Sequence, residues 1–233
     1  MTTSTLSAKK LLIAGVALSA ALGLGACSSN DATASDSSSS SSSSSTQSAR
    51  PEPIASLPAI PAGGSTAVKL DANFVSALGT LGLTPATLGN ATLADGSVSF
   101  PITGGTVTVF DKSSGYRPYV QGTILHQNSG LSLTAGGTTV ELTNFTVDPG
   151  TPARLFGDVA VNGQQAAASA PLFDLDGTTL NPISMDSSGN AVLQGTTVKL
   201  SPEAAGLLNK TFATDALKGG LVIGIATITV PTK

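Results

Sequence analysis

The chain has a single cysteine, a single histidine and no tryptophan among its 233 residues. One thiol cannot form an intrachain disulfide or a thiolate metal site, so the folded part must depend on its hydrophobic core. One histidine excludes zinc sites built from two or three histidines of one chain. A Ser-His-Asp hydrolase would have to use His126, and no Gly-x-Ser-x-Gly elbow is present to hold its nucleophile. We therefore predict no catalytic residues, no metal ligands and no enzymatic activity.

Charged and aromatic residues are also scarce, at 11% and 4% of the chain. If residues 1–26 are removed as a signal peptide, the 11 basic residues lose Lys9 and Lys10, which leaves nine against 14 acidic residues. The resulting net charge of −5 (9 − 14) argues against nucleic acid as a partner and against a polybasic patch for lipid headgroups. Gly, Thr, Ser, Ala and Val dominate instead, a composition that favours β-strands joined by tight turns.

The lone cysteine, Cys27, directly follows Leu24, Gly25 and Ala26. A basic pair at 9–10 and an apolar run at 11–24 precede it, and that run is shorter than the roughly 20 residues of a membrane span. This order is typical of a bacterial lipobox, and the alternative is an ordinary signal peptide with a chance cysteine. We predict a lipoprotein signal peptide at 1–26 and a lipid on Cys27. The lipid would anchor the protein to the extracytoplasmic face of the cell membrane, because two acyl chains suffice for stable attachment.

Residues 27–64 form a predicted disordered tether. Nine consecutive serines run from Ser37 to Ser45, and four prolines follow between Pro51 and Pro61. The serine-rich part has nothing to bury and should stay disordered, and prolines at this density stiffen the following part into an extended spacer. The tether would span about 35 Å as a coil, enough to carry a domain away from the membrane and into a cell wall.

Residues 65–233 are predicted to form one mainly β domain, an antiparallel β-sandwich or flattened barrel with two short helices. Turn signals recur every few residues between β-rich segments, and Asn162-Gly163 is the strongest hairpin signal. Asp71 is a good N-cap for a helix at 72–81, and Ser201-Pro202 starts a second helix that runs to about residue 211. The predicted strands are 91–93, 97–102, 106–110, 119–126, 130–134, 138–147, 154–161, 168–175, 192–200 and 221–230.

The most suggestive group for ligand binding contains both tyrosines and the only histidine of the chain. Tyr116 and Tyr119 lie within eleven residues of His126. The simpler interpretation is tyrosines at a strand edge and a surface histidine. Elsewhere, the sequence from Asp174 to Gly177 is like the first half of a calcium loop, but no glutamate stands at its twelfth position, so we predict no calcium site there.

The order of motifs over residues 68–175 resembles the HtaA domain, the haem-uptake module of some Gram-positive cell envelopes. That family opens with a Phe-containing helical segment, which an Asp-Gly turn, a Phe-Pro strand and a strand with Gly and His then follow. The matching residues here are Asn73-Phe74-Val75, Asp95-Gly96, Phe100-Pro101, Gly122, His126 and Gly130-Leu131. The resemblance implies the fold of that family, and it implies that His126 is the counterpart of the histidine that supports the family's iron-ligating tyrosine.

The chain departs from the family where the iron ligand should be. The family has a Trp in its opening segment and a Tyr a few residues after the Phe, whereas here the segment continues Val75-Ser76-Ala77-Leu78. The resemblance therefore implies the fold more than the haem. Tyr116 or Tyr119 would have to ligate iron in a different geometry.

Three functions follow, in decreasing order of support from the sequence. The first is a lipid-anchored envelope protein that presents a non-enzymatic binding or adhesion module, with the membrane and cell-wall components as partners and no resident cofactor. The second is HtaA-like binding or transfer of haem or another small apolar ligand. The third is a secreted hydrolase that uses His126.

Overall fold

A computed structural model describes residues 50–232 of the chain. The predicted signal peptide, the lipobox with Cys27 and the serine tract lie outside the described residues. Neither described helix is long and apolar enough to cross a membrane.

The described chain consists of thirteen β-strands, two α-helices and two short 3₁₀ turns. The helices are α1 (Ala72–Thr80) and α2 (Pro202–Phe212). The strands are β1 (Ala55–Leu57), β2 (Ser65–Leu70), β3 (Thr84–Gly89), β4 (Thr92–Ala94), β5 (Ser97–Pro101), β6 (Gly104–Val109), β7 (Val120–Ala135), β8 (Thr138–Asp148), β9 (Arg154–Val161), β10 (Gln164–Asp176), β11 (Ser184–Met185), β12 (Ala191–Leu200) and β13 (Val222–Val230).

All strands belong to one antiparallel sheet, in the order β1-β6-β7-β8-β9-β10-β12-β13-β2-β5-β4. β3 pairs with the second half of β7, and β11 pairs with the start of β12. The chain passes directly from β5 into β6 through Ile102 and Thr103. These two strands stand near opposite ends of the strand order, so the sheet has to curl to bring them together. The prediction of an antiparallel sandwich or flattened barrel with two short helices is confirmed.

Both helices begin where a strand ends, at the same end of the curled sheet. Asp71 follows β2 and accepts the backbone N–H of Asn73 at 2.8 Å, which caps α1 as predicted. Ser201 follows β12 and accepts the N–H of Ala204 at 2.9 Å to cap α2, while its own hydroxyl donates to the Pro171 carbonyl at 2.7 Å. This second hydrogen bond ties the start of α2 to β10.

The two ends of the curled sheet are filled differently. At the end that carries α2, here called the packed end, buried residues of six strands, Phe145 among them, form the main core with the inner face of the helix. At the opposite end, called the open end, a smaller cluster contains Ile60, Ile102, Ile124 and Val147 together with Val230. No α-helix among residues 50–232 belongs to this second cluster.

The ordered domain starts earlier than the sequence predicted. Residues 51–64 were assigned to the disordered tether, but Ala55–Leu57 pairs with β6 and Ile60 is buried in the smaller core. The amide of Ile60 also donates to the Gly105 carbonyl at 2.9 Å. An edge strand tolerates proline, because the position of the missing N–H can face away from the neighbouring strand. The proline-rich part of the tether is therefore corrected to the first edge of the sheet.

The gap between the predicted strands 119–126 and 130–134 is a bulge inside a single strand. β7 runs without interruption from Val120 to Ala135, and its register with β8 shifts between His126 and Gly130. Asn128 adopts a φ of 57°, the left-handed conformation that asparagine tolerates. Local turn signals cannot distinguish a bulge from a turn, because both use the same residues.

Candidate functional site

The open end of the sheet contains a cavity of about 600 Å³, here called the open-end cleft. One wall comes from β1, β6 and the start of β7, and the facing wall comes from β12 and the end of β13. The loop between β8 and β9 and the segment after β10 complete its rim. The aliphatic residues that line it are Ala55, Leu57, Val107, Val109, Val120, Ile124, Val147, Ala153, Leu175, Leu180, Ile183, Ala191, Leu193, Ile228 and Val230.

The loop between β6 and β7 supplies the aromatic and charged part of the cleft. It is closed at its base by the N–H of Phe110, which donates to the Tyr119 carbonyl at 2.7 Å. Asp111 caps a 3₁₀ turn by accepting the N–H of Ser113 at 2.8 Å, and Gly115 ends that turn with a φ of 72°. These local bonds place Arg117 and Tyr119 on the lining of the cleft.

The two tyrosines have different surroundings. Tyr119 lines the cleft, and the Lys112 Nζ lies 4.6 Å from its ring centroid. Tyr116 instead packs against Phe110, with 4.7 Å between the ring centroids, and Arg50 covers the same pair with its guanidinium carbon 4.8 Å from the Phe110 ring. Only Tyr119 of the two therefore faces a cavity large enough for a ligand.

His126 is a core residue and is only 1% exposed. It lines neither the open-end cleft nor a smaller cavity inside the main core. Its Nδ1 lies 3.0 Å from the Pro101 carbonyl, which can only accept, so Nδ1 carries the proton. Its Nε2 lies 3.1 Å from Thr66 Oγ1 and accepts from that hydroxyl. Both ring nitrogens are thus engaged in joining β7 to β2 and β5, and the structure does not bring His126 and the tyrosines together at one cavity.

Burial controls the protonation of His126. Removal from water lowers the pKa of the imidazole below its ordinary value of 6.5, and hydrogen bonds to the Pro101 and Phe100 backbone oppose this only in part. The ring of Phe100 lies nearby, with 6.2 Å between the centroids. The histidine is therefore neutral at physiological pH and holds three strands together.

The aspartates of the stretch from Asp174 to Gly177, which is like half of a calcium loop, are engaged in ion pairs. Asp174 lies 3.1 Å from Arg154 Nε, and Asp176 lies 2.8 Å from Lys199 Nζ. The hydrogen bond from Lys199, with a second one from Thr178, holds the pKa of Asp176 far below its usual range. Within residues 50–232 no group of three or more His, Cys, Asp or Glu side chains is placed to hold a metal ion.

A second cavity of about 60 Å³ lies within the main core, between Phe100, Phe145 and Phe173. It is far below the roughly 300–1,000 Å³ that small-molecule sites occupy. The open-end cleft falls inside that range, so it is the candidate site.

Most of the cleft was not predicted from the sequence. Of the three proposed ligand-binding residues, the structure places Tyr119 on it, with Arg117 from the same Tyr-Arg-Pro-Tyr motif. The facing wall, with Ala191, Leu193 and Ile228, comes from strands more than 70 positions away. Their β-rich pattern predicted strands, and nothing local distinguished a residue that lines a cavity from one that fills a core.

The cleft contains one residue of a type that binds haem iron. Proteins hold haem iron through His, Cys, Met or Tyr, and Tyr119 is the only one of these among the lining residues. α1, the segment where the resemblance would place an iron-ligating tyrosine, contains none. If a haem were bound in the cleft, Tyr119 is the lining residue that would hold its iron.

Comparison with known proteins identifies a similar fold. No family model and no curated protein matches the chain. Among solved structures, the C-terminal domain of HtaA from Corynebacterium glutamicum matches at 15% identity with a TM-score of 0.51, over 74% of this chain and 97% of that one. The heme-binding protein HtaB from the same organism overlaps at 11% identity with a TM-score of 0.45, over 76% of this chain and 95% of that one. The first likeness confirms the HtaA-like fold that the sequence motifs implied.

Proposed function

We propose that the domain at residues 50–232 binds a small apolar ligand in the open-end cleft, as part of a protein that Cys27 attaches by lipid to the outer face of the cell membrane. The observation that carries the proposal is the cleft itself, about 600 Å³ with an almost entirely aliphatic lining. An apolar cavity of this size with few polar groups is the common form of a small-molecule site. It favours the ligand-binding interpretation over a general adhesion module, which no feature of the described residues specifically supports.

Haem is the first candidate ligand. The sequence motifs resemble those of a haem-uptake family, the fold is HtaA-like, and Tyr119 lies on the cleft. A bound haem would supply the iron chemistry itself, whereas this chain would bind it, orient it and shield it from water. Because α1 lacks a tyrosine, the arrangement would differ from the one that the family resemblance implies.

Hemin titration tests this candidate. The chain from residue 27, with Cys27→Ser so that no lipid is attached, should give a saturable shift of the Soret band. If Tyr119 ligates the iron, the bound hemin should show the absorption bands of tyrosinate-ligated haem. Tyr119→Phe should abolish these bands, whereas Tyr116→Phe, the matched change outside the cleft, should leave them intact. The shift should also survive His126→Gln, since that side chain lines no cavity. Absence of any shift in the parent chain would reject haem.

The anchoring part of the proposal has its own test. Cys27→Ala should block lipid attachment and release the protein from the membrane fraction, or leave it with its signal peptide uncut. The measurement is fractionation of cells with an antibody against the domain. Normal processing and normal membrane association of the variant would contradict the lipobox assignment.

A further inference from the structure

The open-end cleft has one charged residue among all the residues that line it, and that residue is Arg117. A second cation, Lys112, lies over the ring of Tyr119, with its Nζ 4.6 Å from the ring centroid. Both side chains are exposed, and both belong to the short loop between β6 and β7. Positive charge is therefore confined to one side of the mouth, and the rest of the lining is uncharged.

Neither cation has an acidic partner. The ion pairs among residues 50–232 lie elsewhere and are Arg154–Asp174, Arg154–Glu203 and Lys199–Asp176. The acid nearest in sequence is Asp111, whose carboxylate accepts the N–H of Ser113 as the cap of the 3₁₀ turn. What distinguishes Arg117 and Lys112 from other exposed cations is their place beside a cavity whose lining is otherwise uncharged, so their positive charge is available to a ligand.

The guanidinium of Arg117 is held in place and keeps free donors. Its Nη1 donates to the carbonyls of Lys112 at 3.2 Å and Tyr116 at 2.8 Å, and its Nη2 donates to Lys112 at 3.2 Å. Of the five guanidinium N–H groups, these bonds leave two, including the one on Nε, without an acceptor in the protein. An arginine oriented in this way is suited to a carboxylate or a phosphate.

We propose that the ligand of the open-end cleft is an anionic amphiphile, whose carboxylate or phosphate binds Arg117 and Lys112 while its apolar body fills the cavity. The inference rests on the proposed function and specifies the chemistry of its ligand. Charge complementarity carries it, because a neutral ligand would leave the only cations of the mouth without a partner. Long-chain fatty acids and carboxylated porphyrins share this chemistry.

Displacement of the neutral dye Nile red tests the proposal with matched ligand pairs. The chain from residue 27 with Cys27→Ser is first saturated with the dye. Hexadecanoate is then compared with hexadecan-1-ol, and protoporphyrin IX with its dimethyl ester, all below their aggregation concentrations. We expect the anion of the preferred pair to displace the dye at about tenfold lower concentration than its neutral partner. The pair with the larger ratio identifies the source of the ligand.

Variants then locate the preference. Lys112→Gln combined with Arg117→Gln should reduce the anion-to-neutral ratio to about one, and Lys218→Gln, which removes an exposed cation on another part of the chain, should leave the ratio unchanged. Equal displacement by both members of both pairs would overturn the inference while leaving the proposed function intact. A preference that survives in the double variant would also overturn it. If the parent chain bound neither the dye nor a single one of the four ligands, the proposed function and this inference would both be rejected.

Discussion

The packed end and the open end of the domain belong to one sheet, yet only one of them is filled. At the packed end, α2 inserts Ala204, Ala205 and Leu208 into a core in which Phe145 is 1% exposed. At the open end the strands are joined by turns and loops, and their inward side chains line a cavity of about 600 Å³. The helix fills the interior of the curled sheet at one end only, so the other end is left with a cavity. The comparison shows that the placement of the helix, more than the pattern of the strands, separates core from cleft.

The largest expected effect is the loss of a large side chain from the packed end. Phe145→Ala should lower the free energy of unfolding by about 3–5 kcal/mol, because the ring packs against Phe100 with 5.2 Å between centroids and its removal leaves a cavity. Leu193→Ala, a half-buried residue on the cleft, should cost less than about 2 kcal/mol. Urea denaturation measures both, and equal losses would show that the two ends are packed alike.

A matched pair of insertions sharpens the same comparison. Ala205→Trp, in the buried face of α2, should destabilise the fold by about 1–3 kcal/mol through overpacking. Ala191→Trp, on the wall of the cleft, should change stability by less than about 1 kcal/mol and reduce dye binding, because the ring occupies the cavity. Denaturation and Nile red titration on the same samples provide the measurements. Strong destabilisation by the cleft variant would mean that the open end closes in solution.

The smallest effect is the pH dependence contributed by His126, which lies between strands from distant parts of the sequence. Its pKa in the folded state is lower than the ordinary 6.5, so below about pH 6.5 the unfolded chain takes up a proton that the folded chain does not. Stability should therefore be fully present above that pH and should fall as the pH decreases toward 5. His126→Gln should flatten this slope, and denaturation at several pH values would reveal it. An unchanged slope in the variant would assign the dependence to other groups.

Local features of the fold could be predicted because their causes are local. Asn162-Gly163 joins β9 to β10 as a two-residue turn, with φ values of 50° and 75° that few other residues adopt. Asp71 and Ser201 cap the two helices through their own hydroxyl or carboxylate oxygen, within three residues of sequence. Such signals need no knowledge of the remaining chain, and the structure confirms them.

The short strands β1 and β3 could not be predicted, because their partners supply most of their stability. β1 and β3 contain or adjoin proline, which favours turns when only neighbouring residues are considered. β3 nevertheless pairs with β7, with Pro85 opposite Leu133. In the same way β1 pairs with β6, with Ala55 opposite Val109. A partner that lies dozens of residues away leaves no trace in the local pattern.

The amino-acid sequence by itself determined the mainly β class, the tight turns and the helix caps, since each depends on conformations that a few adjacent residues impose. The prediction of a lipobox at Cys27 likewise uses only a linear pattern of residues, so it needs no knowledge of the fold. Only the tertiary structure decided that His126 is a buried residue that joins three strands, and that Tyr119 and Arg117 lie on a cleft. The physical reason is that a cavity is defined by which distant strands face one another and by which end a helix covers, and both follow from the curl of the whole sheet.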